Sequence, residues 1–174
     1  MDYQDLAKQD KLDRMRAVIG GLESSWGSNK KHTPMTSGPN AGQTAAGSYG
    51  MVPGTLKDVL KQRMNRGLEN DPELNSLANE ENPDVITENL NSNQELDRKA
   101  ARHALELLAQ KYDNDDAKIL SAWRNGTNKK FKDDSYKDED YVKTGLERLG
   151  NSKETPLPKQ NLNFTEYLKG LFTK

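Results

Sequence analysis

The chain has 174 residues, 32% hydrophobic and 30% charged, with a formal net charge of −1, which fits one domain with a buried core and a heavily solvated surface. That balance provides no global field for nucleic acid or an anionic membrane, and the absence of cysteine excludes disulfide scaffolds, thiol catalysis and cysteine-based zinc sites. There is no 18-residue apolar run, so no membrane span is expected, and the charged first 20 residues do not read as a secretory signal.

The first predicted element is a helix over Lys11–Trp26. Leu12, Met15, Ile19, Leu22 and Trp26 recur at spacings of three and four and make one apolar stripe. Gly20 and Gly21 lie within it, at a cost in helix stability, and offer room for the close approach of another backbone. Residues 28–54 change character to Gly, Ser, Thr, Asn and Pro, and read as a ragged β-hairpin or long ordered loop. Helix resumes at "GTLKDVLKQRMNRG", with Thr55 as candidate N-cap, Asp58 three residues on, and Gly67 as the stop. Asp71–Pro72 opens a short helix through Leu77. Residues 80–93 are rich in Asn and Glu and weakly patterned. Asn93–Tyr112 is a strong helix, Asp115 or Asp116 caps the next one at "AKILSAWRNG", and Tyr141–Leu149 forms a last core helix after a lysine- and aspartate-rich stretch. The pattern is α+β, mostly α, with one small β excursion after the first helix. Residues 1–150 make the domain. Residues 151–174 are a tail ending in "FTEYLKGLF", a short amphipathic segment.

The chemistry concentrates at "GLESSWGSNKKH". Glu23 sits next to Leu22 and four residues after Ile19, at the rim of the apolar stripe. Such a position partly desolvates a carboxyl and favours its protonated form, as a general acid requires. No acid follows until Asp58, although 27 acids in the chain would put about five in that interval. In glycoside chemistry a lone carboxylic acid protonates the leaving oxygen of the scissile bond. A surface glutamate at a helix end is the plainer alternative.

"ESSWGSN" resembles the Glu-Ser motif that opens the lytic transglycosylase domain of the lysozyme superfamily. That family follows it with a loop or hairpin and a Gly-x-Met-Gln-x-x-Pro-x-Thr element, and "GSYGMVPGT" (Gly47 to Thr55) stands at that place. "AARHALELLAQKY" is similar to a later family helix, Ala122-Trp123-Arg124-Asn125-Gly126 to its Ala-Tyr-Asn-x-Gly element, and Tyr141-Val142 to its closing Tyr-Val helix. The match runs in order from about residue 12 to 149 and is most similar to bacteriophage virion-associated members.

The resemblance implies a lysozyme-like fold with a small β-hairpin after the catalytic-Glu helix. It also implies cleavage of the β-1,4 bond between N-acetylmuramic acid and N-acetylglucosamine. Glu23 would be the single acid/base, protonating the glycosidic oxygen and then deprotonating the muramyl C6 hydroxyl to close a 1,6-anhydro ring. Ser24 and Ser25 would shape its surroundings, Tyr49, Gly50 and Met51 would line the cleft floor, and Trp123 would stand where the family tyrosine orients the glutamate. Asn125 and Gly126 would close the far wall. Three positions depart from the family. Gly50 replaces a glutamine, leaving Gln43 as a candidate to supply that sugar hydrogen bond; Trp123 replaces tyrosine; and Arg124 replaces asparagine. His32 is a candidate substrate contact or loop-structuring residue, and Thr44 a candidate for positioning a water. Neither His32 nor His103 has metal-ligand spacing. Asp113–Asp116 hints at a calcium loop, but Arg124 stands where an EF-hand needs Glu, so helix capping is the expectation. The basic and aromatic "NKKFK" is offset by "DDSYKDED" and reads as a solvated loop.

The expected activity is therefore peptidoglycan cleavage by a lytic transglycosylase, with no metal or cofactor and no nucleic acid partner. Its partners would be peptidoglycan glycan strands and phage structural proteins. It would act from a phage virion, or in the host envelope or periplasm after delivery by other machinery. The alternatives are a hydrolytic lysozyme (muramidase) and a non-catalytic glycan-binding or structural virion protein that keeps the fold.

Overall fold

A computed structural model describes residues 3–25, 27, 32–36, 38–68, 70–127 and 129–150. Trp26 and the 151–174 tail, both included in the sequence-based expectations, lie outside the described residues. The architecture is mostly helical. α1 spans Tyr3–Ser24, α2 Pro53–Asn65, α3 Pro72–Asn79, α4 Pro83–Ser92, α5 Gln94–Lys111, α6 Asp116–Asn125 and α7 Asp140–Gly150, with a 3-10 turn at Asp134–Asp138 before α7. No helix among the described residues is long and apolar enough to cross a membrane.

α5 is the central element and packs against α1, α2, α3, α4 and α6. Its Leu96, Ala100, Ala101, Ala104, Leu105, Leu107 and Leu108 are buried on more than one face, and the alanines let neighbouring helices come close. Fully buried leucines such as Leu105 and Leu108 each contribute roughly 2–3 kcal/mol through removal of apolar surface from water. α1 buries Met15, Val18 and Ile19, and α7 packs against both α1 and α6. A Cβ added to Gly145 would lie 2.6 Å from Leu120 Cδ1, so this glycine sets the close seating of α7 on α6. Charged side chains tie three helices together. Asp13 of α1 meets Arg102 of α5 at 2.7 Å, Arg102 meets Glu106 at 3.1 Å, and Glu106 meets the buried Arg63 of α2 at 3.0 Å.

The helix starts follow local chemistry. Asp71, Asn82, Asn93 and Asp115 each accept a backbone N–H from the first turn of α3, α4, α5 and α6. α4 corrects the reading of residues 80–93 as weakly patterned. Only Ile86 and Leu90 face its core, too few for a clear stripe, but the Asn82-Pro83 start signal is complete. α1 likewise begins well before Lys11. Thr55 is not an N-cap: Val52 holds that position, and Pro53 opens α2 where a missing N–H does no harm. Gly67, at φ +66°, closes α2 with the paired hydrogen bonds Gly67 N–H to Met64 O and Leu68 N–H to Arg63 O.

The expected β-hairpin is not seen among the described residues. The described residues between α1 and α2 contain two isolated bridges, Pro34 with Thr44 and Ala46 with Met51. Positive φ at Gly38, Gly42, Gly47 and Gly50 interrupts any extended run. Two backbone donors of the second turn are satisfied by side chains: Gly47 N–H donates to Asn91 Oδ1 at 2.9 Å and Ser48 N–H to the buried Asp97 Oδ2 at 2.7 Å.

These two pins make Gly47 a sensitive position. An added Cβ would lie 2.0 Å from Asp97 Oδ1, whereas Gly42, also at positive φ, has open space around it. Gly47→Ala is expected to destabilise the protein by roughly 2–4 kcal/mol and Gly42→Ala by only about 1 kcal/mol in urea unfolding. Equal losses would show that the Asp97 pin does not constrain the loop.

Candidate active site

The last turn of α1 carries Glu23 into a cleft of about 670 Å³. One side of the cleft comes from residues 32–56, including His32, Asn40, Gly50, Met51 and Thr55. The other comes from the end of α6 and the start of α7, with Trp123, Arg124, Asn125 and Tyr141. The Glu23 side chain is only 10% exposed. Among the described lining residues it is the one carboxylate.

A short loop holds Glu23 in place. Ala46 and Met51 exchange two backbone hydrogen bonds, 2.8 and 3.0 Å, and close Gly47–Gly50 into a tight turn. Gly50 lies at φ +64°, and a Cβ there would fall 2.7 Å from Glu23 Oε2 and 3.1 Å from its Cδ. The bare backbone of Gly50 is therefore packed against the carboxylate, and a side chain at this position would be strained at that φ and would have to displace Glu23. The same loop is fixed to α1 by Ser24, whose hydroxyl donates to Ser48 O at 2.6 Å and accepts the Gly27 N–H at 2.7 Å. It is fixed to α6 by Trp123, whose Nε1–H donates to Tyr49 O at 3.1 Å. The Tyr49 ring lies over Gly20, where a Cβ would approach it to 3.1 Å. The glycine in α1 thus admits an aromatic ring rather than a backbone.

Two side chains flank the carboxylate. Arg124 Nη1 is 3.8 Å from Glu23 Oε2, a loose ion pair, and the arginine side chain is 59% exposed. The Tyr141 hydroxyl is buried beside Glu23. Burial raises its pKa well above the ordinary phenol value, and the neighbouring Glu23 charge adds to this. The phenol thus stays protonated through the neutral range and acts towards the carboxylate only as a donor. The hydroxyl faces Glu23, whose charge and acceptor oxygens both act on it, though no hydrogen bond of full geometry joins the two.

The sequence-derived site residues divide into two groups. Glu23, His32, Gly50, Met51, Trp123 and Asn125 line the cleft. His32 Nε2 also faces Gly47 O at 3.3 Å, a contact that structures the loop. Ser24, Ser25, Gln43, Thr44 and Tyr49 are not in its lining. Ser24 and Tyr49 act behind it, as supports. Ser25, at φ +49°, is exposed where the chain turns out of α1. Gln43 Oε1 accepts the Gly54 N–H at 2.8 Å and serves the start of α2 rather than replacing a side chain at Gly50. Thr44 pairs with Pro34 in an isolated bridge. Trp123 directs its only donor to Tyr49 O, and the tyrosine beside Glu23 is Tyr141. The sequence pattern marks Tyr141 only as part of a closing helix. No local signal joins it to Glu23, because α7 reaches α1 only through tertiary packing.

Asn125 is held from behind. Its amide donates to Ser121 O at 3.0 Å and to Glu139 Oε2 at 2.8 Å. Glu139 also meets Lys129 and the buried Ser121. Burial alone would raise the Glu139 carboxyl, but hydrogen bonds from Lys129, Ser121 and Asn125, together with the Lys129 charge, outweigh it and hold the carboxyl below its ordinary 4.5.

Comparison with protein-family models, curated proteins and solved structures finds no match for the chain.

The depressed Glu139 value has a pH signature. Its stabilising effect is complete above the ordinary value of 4.5 and is lost as pH falls from there through the lower folded value. Glu139→Gln is expected to lower the melting temperature at neutral pH and to flatten the acid-side loss of stability below pH 4.5. A variant with the same acid limb as wild type would show that this cluster does not stabilise the fold.

Proposed function

We propose that the chain has a lysozyme-like fold and cleaves peptidoglycan as a lytic transglycosylase, with Glu23 as the single acid and base. The observation that carries this reading is the lone, nearly buried carboxylate in a cleft of about 670 Å³. A retaining glycosidase that forms a covalent intermediate places a second carboxylate about 5–5.5 Å away as nucleophile, and an inverting one places it roughly 6.5–9.5 Å away as base. Among the described lining residues neither partner is present. A single carboxyl group suffices if the substrate supplies its own nucleophile.

In the proposed reaction Glu23 gives its proton to the oxygen between N-acetylmuramic acid and N-acetylglucosamine, and the glycosidic bond breaks as charge develops on the muramyl ring. The resulting carboxylate takes the proton of the muramyl C6 hydroxyl, whose oxygen attacks C1 and closes the 1,6-anhydro ring. Glu23 is thereby restored to its acid form. Gly50 leaves the carboxylate no room to swing towards the loop. Tyr141 offers a neutral O–H to the anionic form midway through the cycle. The order Glu-Ser, Pro-x-Thr, Ala-Trp-Arg-Asn-Gly and Tyr-Val along the chain supports the same reading. The bacterial envelope, reached from a phage virion or by another delivery route, is its proposed place of action.

Glu23→Gln keeps the shape of the side chain and removes the proton. It is expected to reduce clearing of cell-wall suspensions by at least about 10³-fold. Mass spectrometry of wild-type digests should find 1,6-anhydromuramyl ends. Reducing ends alone would establish hydrolysis by water. A wild type that clears nothing, or a variant that clears equally well, would leave a glycan-binding or structural protein.

A further inference from the structure

Arg124 is not accounted for by the chemistry proposed for Glu23. It is the one guanidinium or ammonium among the described residues that line the cleft. Its separation of 3.8 Å from Glu23 Oε2 is beyond a hydrogen bond, and 59% of its side chain remains exposed, so the carboxylate does not consume it. The guanidinium lies 5.8 Å from the centre of the Tyr141 ring, which fixes it at the rim of the cleft instead of letting it sweep through solvent. Its root is the last turn of α6, where the neighbouring Asn125 is clamped by Ser121 and Glu139. A planar fork of donors on a mounted root, only loosely paired with Glu23 and largely open to the cleft, can receive a further carboxylate.

We infer that Arg124 makes the cleft selective for glycan strands that bear carboxylates, over neutral strands of the same backbone. The inference rests on the glycan-cleaving reading of the site. Peptidoglycan offers two sources of that group: the lactyl substituent of a muramyl residue when it carries no peptide, and the stem peptide when it does. Either lies on the sugar that would be held beside Glu23, within the reach expected of a side chain already at the carboxylate. Among the described residues no lysine and no other arginine lines the cleft, so none of them supplies a second fixed positive charge there.

Binding is measured on the full chain carrying Glu23→Gln, so that strands stay intact, alone and combined with Arg124→Gln or Arg124→Lys. The probes are a chitooligosaccharide, which has no carboxylate, peptide-free glycan strands with lactyl carboxylates, and peptide-bearing strands. Arg124→Gln is expected to weaken at least one carboxylate-bearing probe about tenfold and the chitooligosaccharide less than twofold, with partial recovery in Arg124→Lys. The preference should shrink as ionic strength rises. The anionic probe that loses affinity identifies the carboxylate. Equal losses on all three probes, or no loss on either anionic one, overturn the inference. Clearing by the chain with Glu23 intact is followed in parallel. Clearing without charge discrimination sinks the Arg124 inference and leaves the catalytic reading standing. Charge discrimination without clearing supports Arg124 as a carboxylate receptor and sinks the catalytic reading, and a chain that neither binds nor clears defeats both.

Discussion

The backbone of Gly50 lies against the carboxylate of Glu23, and much of the structure between α1 and α2 exists to keep it there. The contact requires a residue without a Cβ at a left-handed φ of +64°. It also requires a loop that does not drift, since a relaxed loop would let water or another side chain surround the acid. Four independent ties supply this. The Ala46–Met51 bridge closes the turn, Asn91 and Asp97 anchor its N–H groups from α4 and α5, Ser24 anchors it from α1, and Trp123 from α6. Each tie satisfies a polar group that would otherwise be buried without a partner, so positioning the acid and satisfying the backbone are achieved by the same bonds.

This arrangement explains why the segment is rich in glycine and poor in charge. Two positive-φ glycines within one four-residue turn make the approach possible. A second acid in the lining would place like charges in a poorly solvated space, where mutual repulsion is strong. The acid-free interval from residue 24 to 57 is in this sense the sequence counterpart of Glu23 being the one carboxylate among the described residues that line the cleft. Tyr141 and Arg124 then bring complementary groups to Glu23 from the opposite wall. One is a neutral donor held protonated by burial, and the other a charge that remains largely in solvent.

Most helices are legible in the sequence because their signals are local. Asp71-Pro72 opens α3, Asp115 caps α6, the helix expected from Asn93 begins there with Asn93 as its cap, and Gly67 stops α2. α4 is not legible, because a helix lying on a larger core needs only Ile86 and Leu90 inward and shows no stripe. The hairpin expectation fails because alternating small and polar residues suit strands and loops alike. The decision depends on which partners the backbone N–H groups find, and those partners, Asn91 and Asp97, lie far along the chain. Glu23 stands out from its sequence neighbours, whereas Tyr141 beside it depends on α7 packing on α1. The supporting roles of Gln43 and Trp123 are equally invisible, since an amide or an indole N–H can serve a sugar or a backbone group with the same chemistry.

On the proposed reading, Gly50 and Arg124, the two positions that differ from the resembled motif on opposite walls, are linked. Once Gly50 packs against Glu23, its position cannot also present an amide to a sugar, because even a Cβ would strike the carboxylate. Gln43 cannot replace that amide while it serves the Gly54 N–H. On the proposed reading, a polar group for the substrate would then come from the other wall, where Trp123 has committed its donor to Tyr49 and Asn125 is held by Ser121 and Glu139. Arg124 is the neighbouring side chain with donors to spare and a fixed root. On that reading, a charged donor in place of a neutral one would change the recognition, from hydrogen bonding that any hexosamine could satisfy to a demand for an anion. On the proposed reading, the tight fit between glycine and glutamate on one wall is what moves substrate selection to the arginine on the other.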